Sequence, residues 1–216
     1  MRGEGRLVAF GEAMLRYSPP GRERMLQSPR LDVWVGGAEV NVATQIARFG
    51  GRAGFVSALP SGPLADAALF ALRGNGVELD GMVRRPGRMG LYYVTAGTGM
   101  RATEVLYDRA GTAFATAPAD TWDWAEVLQD ANRLHLSGIT PALGAQGTSA
   151  ALTAASAAKR LGVPVSFDGN FRARLWDAWD GRPDRTLPKL AAHADVLFAS
   201  HRDISLLLGT EYRGDN

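Results

Sequence analysis

The stretch GGAEVNVATQIARFG, residues 36–50, carries the clearest fold signal in the chain. Its leading glycines lack a Cβ and let the backbone approach a ligand closely. The residues after them have helical spacing, with Val40, Ala43 and Ala47 on one face. A helix that starts at a glycine pair offers free N–H groups to a polar ligand, and Asn41 in its first turn can either bind a ligand hydroxyl or cap the helix. The spacing alone leaves open an ordinary helix that starts at glycine.

On either side of this helix, short apolar runs at residues 7–12 and 53–59 predict buried strands. The residues SGPL at 61–64 open a second helix that runs to about residue 73, with proline in its first turn. The order strand, helix, strand, helix implies parallel pairing in an α/β sheet. The later chain continues with predicted helices at residues 122–128, 146–161 and 185–192, predicted strands at residues 133–141 and 162–168, a predicted core strand at residues 194–200, and a helix that ends near residue 208.

Two polar residues in the predicted strands have different expected environments. Glu12 stands at the carboxyl end of the first strand, the edge where ligands bind in open α/β sheets, so its carboxylate is a candidate acceptor for ligand hydroxyls. The alternative for Glu12 is a solvated loop acid. His135 lies inside an apolar run and is predicted to be a core histidine.

The middle of the chain departs from the α/β alternation. Two β-prone runs at residues 90–96 and 103–109 are joined by a Gly-Thr-Gly turn and therefore predict a hairpin. Consecutive strands without a helix do not belong to a doubly wound core. We expect this hairpin and the strand at residues 31–35 to form a small sheet that stands off the main domain.

Composition bounds the class of protein. At 216 residues and 46% hydrophobic, the chain is long enough for a full core, in one large α/β domain or two small ones. A net charge of +2 with scattered basic residues argues against a nucleic-acid partner. The absence of cysteine excludes disulfides, thiolate nucleophiles and Cys-ligated metals. No signal peptide or membrane span is predicted, so a cytoplasmic protein is expected.

The sequence GGAEVNVA, followed by IARFG, resembles the first signature of the ribokinase-like (PfkB) carbohydrate kinases. Within that family, it is most similar to the sequence of the 2-keto-3-deoxygluconate kinases. The resemblance implies an α/β fold, a ribokinase-like doubly wound, mostly parallel sheet with a small β-lid. It also implies that Glu12, Gly36, Gly37 and Asn41 bind the sugar.

The hairpin extends the resemblance. Tyr92 within GLY, and Tyr107 and Arg109 within YDR, match lid residues that those kinases use on a sugar acid. The guanidinium of an arginine can bind a carboxylate through two hydrogen bonds, and tyrosines supply hydroxyl groups and a flat aromatic wall beside the ligand. Without the resemblance, these tyrosines are plain strand residues and Arg109 is solvated. Ile139 resembles a position that touches the sugar through its backbone.

A second motif, DGNFRARLW at residues 168–176, also resembles the 2-keto-3-deoxygluconate kinases. By that resemblance, Asn170 and Arg172 face the transferring phosphate or the far end of the sugar, with Arg172 supporting catalysis. Asp168 is expected to order the loop or the waters of a metal ion. Spacing alone leaves a capping cluster as an equal alternative.

The last motif is SHRD at residues 200–203, where the family usually has Asn-x-x-Glu. The resemblance implies that Ser200 supports the nucleotide phosphates and that Asp203 is an acid of the metal site. Both positions depart from the usual residue types.

The 216 residues contain neither a Gly-Ala-Gly-Asp signature nor a Gly-x-x-x-x-Gly-Lys loop. In the family, the Gly-Ala-Gly-Asp signature supplies the catalytic base and the glycine N–H groups that hold phosphates. The chain is therefore expected to be the N-terminal two-thirds of a ribokinase-like domain, truncated at its C-terminal end, with lid strands near residues 14–35 and 88–111. The base is expected in the missing part.

The expected function is ATP- and Mg²⁺-dependent phosphorylation of 2-keto-3-deoxygluconate to its 6-phosphate, impaired in this truncated chain. One alternative is a fructokinase- or ribokinase-type kinase for a neutral sugar. Another is a non-catalytic, sugar-binding remnant. The family resemblance also makes a homodimer through the lid an expectation.

Overall fold

The computed structural model describes residues 5–211, which form ten strands and eight α-helices. The strands are β1 (Arg6–Phe10), β2 (Met14–Ser18), β3 (Asp32–Gly36), β4 (Ala53–Leu59), β5 (Met82–Arg84), β6 (Gly90–Thr95), β7 (Glu104–Asp108), β8 (Ala131–Ser137), β9 (Val165–Asp168) and β10 (Val196–Phe198). The helices are α1 (Ala38–Arg48), α2 (Pro63–Gly74), α3 (Trp124–Val127), α4 (Ile139–Ala142), α5 (Ala145–Arg160), α6 (Ala173–Asp177), α7 (Pro183–Ala191) and α8 (His201–Leu208).

The main sheet has six strands in the order β10-β9-β8-β1-β4-β5, and all neighbours pair in parallel. Parallel neighbours need long crossover connections, which the helices provide. The predicted α/β class with a mostly parallel doubly wound sheet is confirmed. None of the helices within residues 5–211 has the length and apolar character needed to cross a membrane.

Two apolar clusters cover the faces of the main sheet. On one face, α1 packs on β1 and β4 through small and branched residues such as Val40 and Ala43, and the buried side of α2 belongs to the same cluster. The cluster on the other face contains the alanine-rich side of α5 and the buried Phe10. The Phe10 ring meets Trp122 and Trp124 edge-on, with centroids 4.8 and 4.9 Å away. Apolar residues on both faces of the strands are typical of a parallel sheet.

The second sheet, which we call the lid sheet, has the order β3-β2-β6-β7. The predicted hairpin is present, with β6 antiparallel to β7 and Tyr92 opposite Tyr107. Strand β2 joins this hairpin to β3, because it pairs in parallel with β6 and antiparallel with β3. Strand β2 begins only four residues after β1 ends, so the lid sheet starts beside the carboxyl end of β1. Tyr92 and Tyr107 of the lid sheet therefore lie near that end of β1.

Two strand predictions need correction. The run at residues 133–141 is not one strand, because β8 ends at Ser137 and α4 begins at Ile139. The segment around β10 was predicted to be a core strand, but its residues Val196, Leu197 and Phe198 are 39–55% exposed. Within residues 5–211, β9 is the one strand that pairs with β10, so β10 lies at the edge of the sheet and its apolar side chains are only partly buried.

Candidate functional site

A pocket of about 220 Å³ lies where the carboxyl edge of the main sheet faces the lid sheet. It gathers residues from motifs that are far apart in sequence. Its lining is Glu12, Met14, Gly37, Ala38, Glu39, Asn41, Tyr92, Tyr107, Arg109, Ile139, Asn170 and Arg172. Of the residues expected to bind the substrate, Gly36 is absent from this lining.

A larger cavity of about 730 Å³ lies at the opposite edge of the main sheet. Both of its arginines, Arg6 and Arg52, are already paired with Glu78 and Asp130. The smaller pocket is the better candidate because it combines polar groups on separate elements with three buried ionisable side chains, Glu12, Glu39 and Arg109.

The two glycines before α1 are required by different neighbours. A Cβ on Gly36, the last residue of β3, would overlap the hydroxyl oxygen of Tyr92. A Cβ on Gly37 would overlap the backbone carbonyl oxygen of Glu12, and the φ of Gly37 is 155°. Gly36 therefore admits Tyr92, whereas Gly37 allows the start of α1 to contact the end of β1.

Gly37→Ala is expected to cost on the order of 1–3 kcal/mol of stability, because the opposing atom belongs to the backbone and cannot rotate away. The added methyl should move the start of α1 and so weaken ligand binding in the pocket. Urea unfolding and ligand titration measure the two effects. Gly74→Ala is the matched control, because a Cβ there would meet open space; equal losses in both variants would contradict the argument.

Asn41 lines the pocket, and one of its two predicted roles is wrong. Gly37 occupies the N-cap position of α1, and no side chain caps that helix. Ligand contact by the exposed amide of Asn41 stays a prediction.

Glu12 and Arg109 form a buried ion pair across the pocket. Arg109 donates from Nε (2.9 Å) and from Nη2 (2.5 Å) to Oε2 of Glu12, and the two side chains are only 8% and 2% exposed. The Thr112 hydroxyl donates to Oε1 of Glu12 at 2.5 Å. The alternatives of a solvated acid and a solvated arginine are therefore wrong. One edge of the guanidinium already binds a carboxylate, which the sequence did not indicate.

Tyr92 and Tyr107 form the flat wall that was predicted. Their rings stack with centroids 5.8 Å apart at an interplanar angle of 24°, and the Arg109 guanidinium carbon lies 5.6 Å from the Tyr107 centroid. The Tyr92 hydroxyl is protonated at neutral pH, as in any tyrosine, and can donate a hydrogen bond; burial raises its pKa further.

The loop after β9 reaches the pocket through Asn170 and Arg172. Asn170 has a φ of 38°, a left-handed conformation that asparagine tolerates better than most residues. Arg172 is exposed, donates to the Phe171 carbonyl at 3.0 Å, and also lines a neighbouring groove of about 510 Å³. Asp168 ends β9 outside the pocket, and burial, reinforced by nearby Asp203, raises its pKa.

The carboxylate of Asp203 is already engaged in hydrogen bonds that hold the local backbone. Its Oδ1 accepts from the Phe171 N–H at 3.0 Å, and its Oδ2 accepts from the N–H and hydroxyl of Ser200, both at 2.7 Å, in a capping box that starts α8. Burial acts to raise the pKa of Asp203, but these hydrogen bonds outweigh it and lower the pKa. Within residues 5–211 no group of three or more His, Asp or Glu side chains could hold a metal. The metal role of Asp203 stays a prediction.

Two buried polar residues escaped the sequence reasoning: Glu39, which lines the pocket, and Thr112, which donates a hydrogen bond to the pocket residue Glu12. Glu39 is 1% exposed, and Thr112 is equally buried beside Glu12. An acid in the first turn of a helix ordinarily interacts with the helix dipole at the surface, so the sequence carries no sign that Glu39 is buried. The signal for Thr112 is equally weak, because it lies in a loop after β7.

The chain is similar to known carbohydrate kinases. Residues 5–215 match the pfkB family carbohydrate kinase profile. A 2-dehydro-3-deoxygalactonokinase of Haloferax volcanii is 38% identical over 97% of this chain and 64% of its own length. A probable chloroplastic fructokinase-6 of Arabidopsis thaliana is 30% identical over 93% of this chain and 52% of its own length.

Among solved structures, the crystal structure of a 2-dehydro-3-deoxygluconokinase from Thermotoga maritima superposes with a TM-score of 0.90 at 40% identity, covering 97% of this chain and 64% of that one. The chain thus spans less than two thirds of the length of these relatives. A profile match over nearly every residue, joined to a common fold, establishes that the chain belongs to the pfkB family of carbohydrate kinases.

Proposed function

We propose that this chain forms the sugar-binding part of an ATP-dependent kinase that converts 2-keto-3-deoxygluconate to its 6-phosphate. The observation that carries the proposal is a buried arginine beside two stacked tyrosines in the pocket between the sheets. Relatives named for 2-dehydro-3-deoxy sugar acids support this substrate class.

In this proposal Arg109 recognises the acid end of the sugar. Glu12 engages the Nε and Nη2 edge of the guanidinium, which leaves the Nη1 and Nη2 edge for a substrate carboxylate. The hydroxyls of Tyr92 and Tyr107 and the amide of Asn41 hydrogen-bond the remaining sugar oxygens. Fixing the sugar in this way lowers the entropic part of the barrier to transfer.

ATP supplies the phosphoryl group. The groove of about 510 Å³ next to the pocket suits an anionic phosphate chain, because it contains the exposed side chains Arg172, Arg174 and Arg202. Arg172 lines both cavities and would neutralise charge between the sugar and the nucleotide. The described residues do not by themselves make a Mg²⁺ site.

We further propose that these 216 residues bind the sugar acid with little turnover. Their sequence lacks the Gly-Ala-Gly-Asp signature that the family resemblance assigns to the base and the phosphate-holding glycines. A robust, contamination-controlled turnover of 2-keto-3-deoxygluconate and ATP by this chain would contradict that proposal.

A neutral-sugar kinase is the second candidate, and one structural observation favours it. A neutral sugar offers no carboxylate to Arg109, but Glu12 already supplies one inside the protein. Burial of Arg109 under a neutral sugar therefore leaves no unpaired charge. The match to fructokinases of plants and of Klebsiella pneumoniae points the same way.

Calorimetric titration of the chain with 2-keto-3-deoxygluconate, 2-keto-3-deoxygalactonate and fructose distinguishes the candidates. We expect both sugar acids to bind roughly tenfold or more tightly than fructose, which corresponds to one additional charge-assisted contact. Tighter binding of fructose would favour the neutral-sugar candidate. Absence of binding by all three sugars would contradict both.

Two remaining expectations stay proposals. A homodimer through the lid sheet is supported by the exposed apolar residues Val33, Trp34 and Leu106 on β3 and β7. A molar mass near 23.1 kDa in solution by light scattering would contradict it. A cytoplasmic location also stays a prediction, and fractionation of the source cells would test it.

A further inference from the structure

Glu39 is the most deeply buried ionisable group of the pocket, and the proposed function gives it no role. It lies in the first turn of α1, directly after the glycine pair, and its side chain is 1% exposed. A buried carboxylate is costly unless its oxygens are hydrogen-bonded, so its partners indicate what it does.

Glu39 connects α1 to the segment after β8. Its Oε1 accepts from the Ser137 hydroxyl at 2.6 Å and from the Thr140 hydroxyl at 3.3 Å. The Ser137 oxygen in turn accepts from the backbone N–H of Ile139 at 3.1 Å. Ile139 lines the pocket, so this chain of hydrogen bonds extends from Glu39 to the pocket backbone.

The second oxygen of Glu39 lies against β1. A Cβ on Gly11 would overlap Oε2 of Glu39, and Gly11 directly precedes Glu12 of the buried ion pair. One carboxylate therefore contacts three segments of the site: the start of α1, the end of β1 and the turn between β8 and α4. These three segments are far apart in the sequence, at residues 11, 39 and 137–140.

We propose that Glu39 is a positioning residue, which acts through Ser137 to hold the Ile139 backbone and the end of β1 in the arrangement that binds the sugar. This inference rests on the proposed function of the pocket. Burial, opposed in part by the hydrogen bond from Ser137, raises the pKa of Glu39. Glutamine should therefore replace it well, because neutral glutamine keeps the accepting Oε1.

The test compares Glu39→Ala, Glu39→Gln and Ser137→Ala. Two readouts are used: the Kd for 2-keto-3-deoxygluconate by calorimetry and the hydrogen exchange of the Ile139 amide by NMR without ligand. We expect Glu39→Ala and Ser137→Ala to weaken binding and to speed this exchange, each by roughly tenfold or more, whereas Glu39→Gln stays within about threefold of the unmodified chain.

Glu126→Ala, an exposed acid at the far edge of the main sheet, is the control and should change neither readout. If Glu39→Ala fails to fold, Ser137→Ala and Glu39→Gln still decide the proposal. A folded Ser137→Ala with unmodified affinity and unmodified Ile139 exchange would overturn it. If the unmodified chain binds no sugar, the proposed function fails, while the Ile139 exchange rates still report whether Glu39 holds that backbone.

Discussion

Arg109→Ala is expected to destabilise the protein by about 3–5 kcal/mol and to abolish detectable sugar-acid binding. The substitution removes the guanidinium and leaves Glu12 buried, with the Thr112 hydroxyl as its remaining side-chain hydrogen-bond donor within residues 5–211. A buried carboxylate without its cation must lose its hydration and gains little in return. Urea unfolding measures the loss of stability, and calorimetric titration measures the loss of binding.

The neighbouring pair Arg88–Asp108 provides a matched control. Its side chains are 39% and 52% exposed, so Arg88→Ala should cost at most about 1 kcal/mol and should leave sugar binding unchanged. Equal losses in Arg88→Ala and Arg109→Ala would mean that burial of the Glu12–Arg109 pair has no energetic consequence.

A double variant, Glu12→Met with Arg109→Met, separates stability from recognition. Replacing both members of a buried ion pair with apolar residues is often neutral, so most of the lost stability should return. Sugar-acid binding should not return, because the guanidinium is still absent. Recovery of binding would show that Arg109 does not recognise the acid.

His135 is expected to make the protein sensitive to acid, at a cost of about 3 kcal/mol of stability between neutral pH and pH 4. Burial lowers the pKa of His135 from 6.5 to about 4. The unfolded chain then binds a proton at a higher pH than the folded chain. The contribution is fully present above pH 6.5 and is lost as the pH falls from 6.5 to about 4.

The groups around His135 determine how this contribution is isolated. Its Nδ1 lies 3.0 Å from the Ser166 hydroxyl, and both residues line an apolar groove with Arg133 and Asp168. Burial raises the pKa of Asp168, which gives an opposite dependence in an overlapping pH range. The quantity to measure is therefore the difference between the unmodified chain and His135→Asn.

The free energy of unfolding in urea, measured from pH 7.5 to 4, should depend much less on pH in His135→Asn than in the unmodified chain. Asparagine is chosen because its amide nitrogen can take the place of Nδ1 toward Ser166. Ser166→Ala is the control: burial is the cause of the shift, so this variant should keep most of the acid loss. Parallel curves for the unmodified chain and His135→Asn would contradict the assignment.

Much of the fold followed from local patterns. The helix after the glycine pair, the core strand β4, the hairpin and the alanine-rich α5 have periodicities and turn residues that depend little on distant contacts. Short elements were less well predicted. β8 and α4 were merged into one strand, because Gly138 gives no sign of whether the chain continues extended or turns.

The buried position of His135 also followed from its apolar neighbours in sequence. The exposure of β10 did not, because an apolar strand has the same sequence pattern at the centre and at the edge of a sheet. Only the strand order, in which β10 is last and has β9 as its one neighbour among the described strands, decided that difference.

By itself the sequence determined the α/β class, the family, and which residues at the strand ends were candidates for the site. Only the tertiary structure decided how those residues engage one another. Glu12 and Arg109 are 97 positions apart, and Glu39 and Ser137 are 98 apart, yet each pair shares a buried hydrogen bond. Local sequence encodes periodicity and turn preference, whereas the pairing and burial of charges depend on which distant segments the packed sheets bring together.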